Sequence, residues 1–200
     1  IIQTGWNDLS GGVARCYEVL INLMNMSEED PQFRADLAPY LGEVRAMRAY
    51  YMWQYVDLFG VLPVLNESLV PDVLDRTEAT ALIISELEEI IPDMFDKDET
   101  IYGKAHKQMA ETLLAKVYLN RNIYENRAVE TADMDEVIAN CDAVINSGMF
   151  SLSNDYFAMF DQDNDFSTET ILTLMNSGDI GRGFDSQAHT FMTLHYNQSI

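Results

Sequence analysis

The spacing of apolar side chains along the chain predicts a series of amphipathic helices. The first helix covers residues from about 6 to 26, and the second runs from about Phe33 to Phe59, where Pro39 is a point at which the helix can break. An acidic turn, Ser27 to Pro31, separates the two helices. The apolar stripe of the first helix consists of Leu9, Val13, Tyr17, Leu20, Ile21 and Met24.

The last part of the second helix, Arg45 to Phe59, is apolar around almost its whole circumference. Its fifteen residues are too few for a membrane span, which needs about eighteen apolar residues. A helix that is apolar on all sides is typical of the centre of a helical core. Gly60 can adopt the left-handed conformation that ends a helix, and Pro63 prevents its resumption. The helix is therefore expected to end at Phe59.

The next elements are an extended linker and a third helix. The segment from Val61 to Asp75 contains two prolines and has no helical period, which predicts a linker on the surface. Asp75 and Glu78 form a capping box that starts the third helix, and Pro92 closes it. One face of this helix carries Ala79, Ile83, Leu87, Ile90 and Ile91, and the opposite face carries Glu86, Glu88 and Glu89.

A fourth helix, about Lys104 to Arg121, and a fifth helix, from Asp133 to Gly148, are predicted to form a hairpin. The run AETLLAKVYLNRN resembles a tetratricopeptide unit, whose helix pairs bury their apolar stripes by stacking on neighbours. The fifth helix is expected to point Met134, Val137, Ile138, Cys141, Val144 and Ile145 inward. We therefore divide the chain into a helical core, residues 1–148, and a region of loops and short strands, residues 149–200. In the second region, Phe150, Leu152, Tyr156, Phe157, Met159 and Phe160 lie among Ser, Asn and Asp.

Composition excludes several classes of function. The net charge is −21 with twelve Lys and Arg residues, which argues against binding to nucleic-acid backbones or anionic lipid. Cys16 and Cys141 lie on predicted apolar faces, so both are expected to be buried free thiols, and the redox compartment stays open. The chain begins at IIQTGWNDL without Met or a signal peptide and ends at HYNQSI without a cap, so we interpret it as part of a longer protein.

Four stretches resemble, in order, the SusD/RagB family of outer-membrane glycan-binding lipoproteins from Bacteroidetes nutrient-uptake systems. WNDLSGGVARCYEVLINL is similar to an early helix with a leading tryptophan, and AETLLAKVYL is similar to the alanine-rich tetratricopeptide helix. INSGMFSLSNDYFAMFDQDNDFSTETIL ends in an S-x-E-x-I pattern, here Ser167, Glu169 and Ile171. The signature RAxRAYYYFxLxxxFGxxP is matched by Arg45, Ala46, Arg48, Ala49, Tyr50, Tyr51, Leu58, Phe59, Gly60 and Pro63, whereas Met52 and Trp53 replace the usual Tyr and Phe.

This resemblance implies a mainly α fold of SusD type, with tetratricopeptide-like helix pairs and long irregular loops that face the ligand. It implies capture of an oligosaccharide or polysaccharide and its delivery to a SusC-like TonB-dependent transporter. The location implied is the extracellular face of the outer membrane, through a lipid anchor that this chain lacks together with the C-terminal part of the family. The sequence contains no GxSxG, HExxH, P-loop or dinucleotide fingerprint, so we expect no catalysis, cofactor or metal.

Exposed aromatic side chains are the expected site residues, because sugar C–H groups pack on aromatic faces while polar groups bind the hydroxyls. The signature residues Arg45, Arg48, Tyr50, Tyr51, Phe59, Gly60 and Pro63 are expected to be structural. The aromatic candidates for ligand contact are Trp6, Tyr102, Phe184, His195 and Tyr196. Their polar partners are expected to be Arg182, Asp185, Gln187 and Asn197.

Other functions have weaker support in the sequence. Asp161, Asp163 and Asp165 alternate as in a calcium loop, but Phe166 stands where an EF-hand requires glycine. His189 and His195 lack a third zinc ligand. A glycosidase would show a buried acid with a raised pKa facing a second acid across a pocket. A tetratricopeptide-like scaffold that binds a protein or peptide would show a concave face lined by Asn and Lys.

Overall fold

The computed structural model describes residues 2–26, 31–65, 71–97, 103–160 and 167–173. These residues form five α-helices and one β-hairpin, so the protein is mainly helical as predicted. The helices are α1 (Ile2–Met26), α2 (Pro31–Phe59), α3 (Arg76–Ile90), α4 (Lys107–Tyr124) and α5 (Thr131–Asn146). The strands are β1 (Val61–Leu65) and β2 (Pro71–Asp75), and short 3₁₀ helices span Ile91–Asp93 and Tyr156–Phe160.

The helices pack in chain order, each against the next, and α2 lies at the centre of the core. It contacts α1, α3 and α4, and Ala46, Ala49 and Val56 on it are completely buried. Small alanines allow the neighbouring helices to approach closely, while Met52 and Tyr55 fill the remaining space. The prediction of a buried central helix is confirmed, although Pro39 lies inside one continuous helix and does not interrupt it.

A polar chain joins α2 to α4 at the edge of this core. The indole nitrogen of Trp53 donates a hydrogen bond to the hydroxyl of Tyr124 at 3.1 Å. The Tyr124 hydroxyl in turn donates to the Asp57 carboxylate at 2.9 Å. Tyr124 is buried, so this pairing satisfies a hydroxyl that would otherwise destabilise the core.

The predicted surface linker is in fact a β-hairpin. β1 and β2 pair antiparallel with Val61 opposite Asp75 and Leu65 opposite Pro71. Leu62 is fully buried, because alternate residues of a strand point to one face and its face lies on the helical core. The prolines suggested a linker, yet a two-stranded hairpin consists of edge strands, where proline is tolerated.

Gly60 makes the turn between α2 and the hairpin. Its φ angle of 72° lies in the left-handed region, and its N–H donates to the carbonyls of Tyr55 and Val56. A Cβ at this position would lie 2.8 Å from a guanidinium nitrogen of Arg76. The predicted helix end is therefore confirmed, and the positive φ angle is what favours glycine, since the flexible Arg76 side chain could shift away from a Cβ.

The capping box at the start of α3 is also confirmed. The Glu78 N–H donates to the Asp75 carboxylate at 2.9 Å, and the Asp75 N–H donates to Glu78 at 3.1 Å. α4 begins at Lys107 and not at Lys104, because His106 is its N-terminal cap.

α5 differs most from its prediction. It packs on α4 as the second arm of the predicted hairpin, but Ile138 is 59% exposed and Ile145 is 70% exposed. Cys141 is exposed as well, so the expectation of two buried thiols holds only for Cys16. Among the described residues α5 has one main neighbour, α4, and one neighbour buries only a narrow stripe of a helix. Within the described ranges, none of the helices is long and apolar enough to cross a membrane.

Candidate functional site

Two arginines of α2 bind carboxylates of α3 at the centre of the helical layer. Arg45 Nε lies 3.0 Å from Glu86 Oε1, and Arg45 also forms two hydrogen bonds with Glu89, at 2.8 and 3.0 Å. Arg48 donates to the same Glu86 oxygen. Glu86 is buried, which corrects the prediction that it faces solvent, because that prediction ignored the arginines of the neighbouring helix.

Among the described residues, Glu86 is the carboxylate partner of Arg48, whereas Arg45 also pairs with Glu89. The guanidinium of Arg48 lies 4.6 Å from the ring centre of Tyr17, and its Nε has no hydrogen-bond partner among the described residues. The Tyr51 ring lies so close to Gly12 on α1 that a Cβ there would be 2.9 Å from it. These contacts are structural and link α1, α2 and α3.

Trp6 is the one ligand-contact candidate from the sequence that the structure describes. It lies within α1, half-buried, with its ring edge-on to Tyr55 and to Phe59 at centroid distances of 5.0 Å each. The Trp6 carbonyl accepts hydrogen bonds from the hydroxyls of Tyr55 and Ser10, both at 2.9 Å. Trp6 thus packs on the core, and a role in ligand contact stays a prediction. The other candidates lie outside the described residues: Tyr102, Arg182, Phe184, Asp185, Gln187, His195, Tyr196 and Asn197.

The structure places three exposed aromatic rings together in a segment outside the candidates for ligand contact that the sequence offers. In the 3₁₀ helix Tyr156–Phe160, hereafter the aromatic segment, Tyr156 is 66% exposed, Phe157 77% and Phe160 68%. The Tyr156 ring is 5.5 Å from Phe157 and 5.3 Å from Phe160. Their signal in the sequence was the occurrence of large aromatics among Ser, Asn and Asp.

Local hydrogen bonds shape the start of the aromatic segment. The Phe157 N–H donates to the Asp155 carboxylate at 2.9 Å, and the Asp155 N–H donates to the Ser153 hydroxyl at 3.2 Å. Asp and Ser side chains favour such turns because they replace backbone partners. The three rings therefore project from a turn that its own polar residues hold.

Residues 167–173 return to the start of this segment. The Ser151 N–H donates to the Thr168 carbonyl at 3.1 Å, and the Thr168 hydroxyl donates to the Ser151 carbonyl at 2.9 Å. The Ser153 N–H donates to the Glu169 carboxylate at 2.5 Å. Residues 167–173, together with Ser151 and Ser153, therefore form the base of the aromatic segment.

Two side chains attach this base to the helical core. Lys97 Nζ donates to the Thr170 carbonyl at 3.0 Å and lies 4.1 Å from the ring centre of Phe150. His106 lies 2.7 Å from the Ile171 carbonyl through Nε2 and also caps α4. Burial lowers the pKa of His106, so its neutral form prevails at neutral pH.

Comparison with known proteins finds relatives that are named as SusD or glycan-binding proteins. Starch-binding protein SusD of Bacteroides thetaiotaomicron is 32% identical over 125 residues, which are 62% of this chain and 22% of SusD. A SusD superfamily protein from Parabacteroides distasonis has a TM-score of 0.77 at 24% identity, over 89% of this chain and 38% of that one. Surface glycan-binding protein A of Bacteroides thetaiotaomicron, in complex with laminarihexaose, has a TM-score of 0.68 at 22% identity, over 84% of this chain and 34% of that one. No family model matches the chain.

The chain is similar in sequence to SusD and to a SusD-like protein, and its fold is the predicted SusD-like fold. The SusD-like chain spans about a fifth of the length of SusD itself and about a third to two fifths of the solved structures it resembles. The relatives are named as binding proteins and not as enzymes.

Two acids with raised pKa values in the described ranges lie away from the groove between α1 and β1. Burial raises the pKa of Glu43 and of Glu111, and one carboxylate oxygen of Glu111 has no partner among the described residues. Neither residue lines the groove between α1 and β1, which encloses about 450 Å³. Glu18 is the acid in that groove, whose lining consists of Val13, Ala14, Tyr17, Glu18, Ile21, Asn22, Pro63 and Val64.

The described part of the chain also contains no group of three His, Cys, Asp or Glu side chains that could bind a metal ion. The alternating aspartates Asp161, Asp163 and Asp165 and the histidines His189 and His195 lie outside the described residues. In the described part of the SusD-like chain, the aromatic segment is therefore the feature whose chemistry best suits a ligand.

Proposed function

We propose that this chain is part of a cell-surface protein that captures oligosaccharides without changing them chemically and delivers them to a SusC-like TonB-dependent transporter. The relatives support the first half of this proposal, since one is named as starch-binding and another is in complex with laminarihexaose. The family resemblance supports the second half, together with a lipid anchor at the extracellular face of the outer membrane. Binding has to be reversible, because slow release would limit transfer to the transporter.

The aromatic segment carries the proposal. Large apolar rings are normally buried, and exposed apolar clusters mark interaction sites. Tyr156, Phe157 and Phe160 are each about two thirds exposed or more, and each contacts another ring of the group. Sugar rings present C–H groups that pack on such faces, and the exposed Asn154 and Asp155 supply polar atoms for hydroxyls.

Charge narrows the class of glycan. With a net charge of −21, the chain repels polyanionic ligands at low ionic strength and has no such effect on neutral ones. We therefore propose a neutral oligosaccharide as the ligand, in agreement with the starch and laminarihexaose of the two relatives.

Affinity electrophoresis of the full-length protein without its anchor tests this proposal. Gels contain starch, laminarin or other plant, host and microbial polysaccharides, and retardation measures binding. Tyr156→Ala, Phe157→Ala and Phe160→Ala are each expected to weaken binding about two- to tenfold, because one aromatic contact contributes roughly 0.5–1.5 kcal/mol. Leu152→Ala is the matched control, since Leu152 is apolar, 87% exposed and close in sequence, but has no aromatic face.

The outcomes separate the alternatives. Loss of retardation in Trp6→Ala or Tyr196→Ala, with the three aromatic variants unchanged, would move the site to those residues. Absence of binding to every polysaccharide, with a peptide bound instead, would favour a tetratricopeptide-like scaffold. Release of shortened glycan would identify a glycosidase.

A further inference from the structure

A single buried imidazole holds both the core and the base of the aromatic segment. His106 is 3% exposed, and its Nδ1 accepts a hydrogen bond from the Met109 N–H at 3.3 Å. Its Nε2 lies 2.7 Å from the Ile171 carbonyl. A backbone N–H only donates and a carbonyl only accepts, so Nδ1 carries no proton and Nε2 carries one. The neutral imidazole thus satisfies both partners at once.

The contact at Ile171 is connected to the exposed rings through three short steps. Ile171 follows Thr168 and Glu169, which bond to Ser151 and Ser153. Ser153 bonds to Asp155, whose carboxylate accepts the Phe157 N–H. The chain of contacts therefore runs from the N-terminus of α4 to the aromatic segment. Lys97 supports it at Thr170.

We propose that His106 is a positioning residue for the aromatic segment, and that its protonation in acid releases the base of that segment and weakens ligand binding. This inference rests on the proposed function of the aromatic segment. It concerns regulation of that site by pH.

Protonation conflicts with the geometry around His106. A second proton would sit on Nδ1 and face the Met109 N–H, so the cap of α4 would be lost. The N-terminus of a helix carries partial positive charge, which also disfavours an imidazolium. The nearby charges are Lys97, which lowers the pKa of His106, and Asp96, which raises it, and Asp96 is bound by the amide of Gln108 at 2.6 Å.

The direction in which pH changes the hold of His106 on the base follows from these contacts. Burial is the main cause that lowers the pKa of His106 below the ordinary value, while its bond to Ile171 opposes the shift. The neutral form is therefore favoured in the folded state, and the anchoring contact is complete above the ordinary pKa of about 6.5. As pH falls below that value, protonation increasingly favours the released state, because burial and the facing Met109 N–H disfavour the imidazolium even though it still donates to Ile171.

Hydrogen exchange of the full-length protein, followed by mass spectrometry from pH 7.5 to 4.5, tests the contact between His106 and Ile171 without any ligand. After correction for intrinsic exchange rates, peptides covering 149–160 and 167–173 are expected to lose protection in acid. In His106→Asn, the amide side chain still caps α4 but is too short to reach Ile171. These peptides should then exchange quickly at every pH, with α4 protected as in the wild type.

A binding measurement strengthens the test. Affinity for laminarin or starch, measured over the same pH range, should fall in acid with the same midpoint as the exchange transition in the wild type. In His106→Asn the affinity should be weak and independent of this transition.

The possible results are distinct. Equal protection at both ends of the pH range, or the same transition in His106→Asn, would overturn the inference. A transition that is present in the wild type and absent in His106→Asn supports the role of His106. If that transition occurs but no polysaccharide binds at any pH, the positioning role of His106 is supported and the proposed function of the aromatic segment is refuted.

Discussion

Replacement of Glu86 by Gln tests the polar centre of the helical layer. The substitution keeps the shape of the side chain and removes the negative charge that Arg45 and Arg48 share. Arg45 still has Glu89 as a partner. Arg48 has no second carboxylate among the described residues, and its side chain is 14% exposed. The substitution therefore leaves a largely buried guanidinium without a carboxylate partner.

The expected loss of unfolding free energy follows from the burial of the ion pair. Removal of one partner from a buried ion pair destabilises a protein by about 3–5 kcal/mol. Because Arg48 keeps some exposure and the Tyr17 ring, we expect the free energy of unfolding to fall by about 3 kcal/mol. Glu89→Gln is the matched control: Glu89 binds the same Arg45 but is 68% exposed, so a loss of about 0–1 kcal/mol is expected.

Urea unfolding of the full-length protein, followed by circular dichroism at pH 7, measures both values. With a slope of about 2 kcal/mol per M, Glu86→Gln should lower the midpoint by about 1.5 M and Glu89→Gln by less than about 0.5 M. Equal shifts, or a larger shift for Glu89→Gln, would refute the argument from burial. A change in slope would show that the unfolded or folded state itself had changed, so the midpoints are compared only at equal slopes.

Three further predictions concern a turn, the thiols and a buried phenol. Gly60→Ala should lower the free energy of unfolding by about 1–2 kcal/mol because its φ angle is positive, whereas Gly11→Ala, with open space inside α1, should raise it by up to about 1 kcal/mol in the same urea assay. A maleimide should label Cys141 in the native protein and Cys16 only after unfolding, because Cys16 is buried and burial raises its pKa; rapid native labelling of Cys16 would contradict this. Burial raises the pKa of Tyr124 to about 12, so the stability it contributes is complete below pH about 10 and is lost between about 10 and 12; Tyr124→Phe should flatten that part of a stability profile.

The helices could be predicted from the sequence because their signals are local. An apolar stripe repeats within one helix, Gly60 needs no distant partner to end α2, and the capping box of Asp75 and Glu78 spans three residues. The family signature also lies within one stretch of the chain. These features depend on backbone geometry and on neighbours a few residues away.

Burial of individual side chains could not be predicted in the same way. Glu86 looked like a solvent-facing acid until α2 brought two arginines to it, and Ile138 looked like a core residue although no described element covers it. A helical period shows which face is apolar, but not which neighbour covers it. That information comes from packing between elements far apart in sequence.

The candidate site shows the same division. The sequence alone determined a mainly helical SusD-like chain and marked the aromatics near Tyr156 as an irregular region rich in polar residues. Only the tertiary structure decided that Trp6 packs on the core, that Tyr156, Phe157 and Phe160 are exposed together, and that His106 joins α4 to Ile171 across 65 positions. The reason is physical: periodicity records local geometry, whereas exposure and long-range hydrogen bonds exist only once distant segments have packed together.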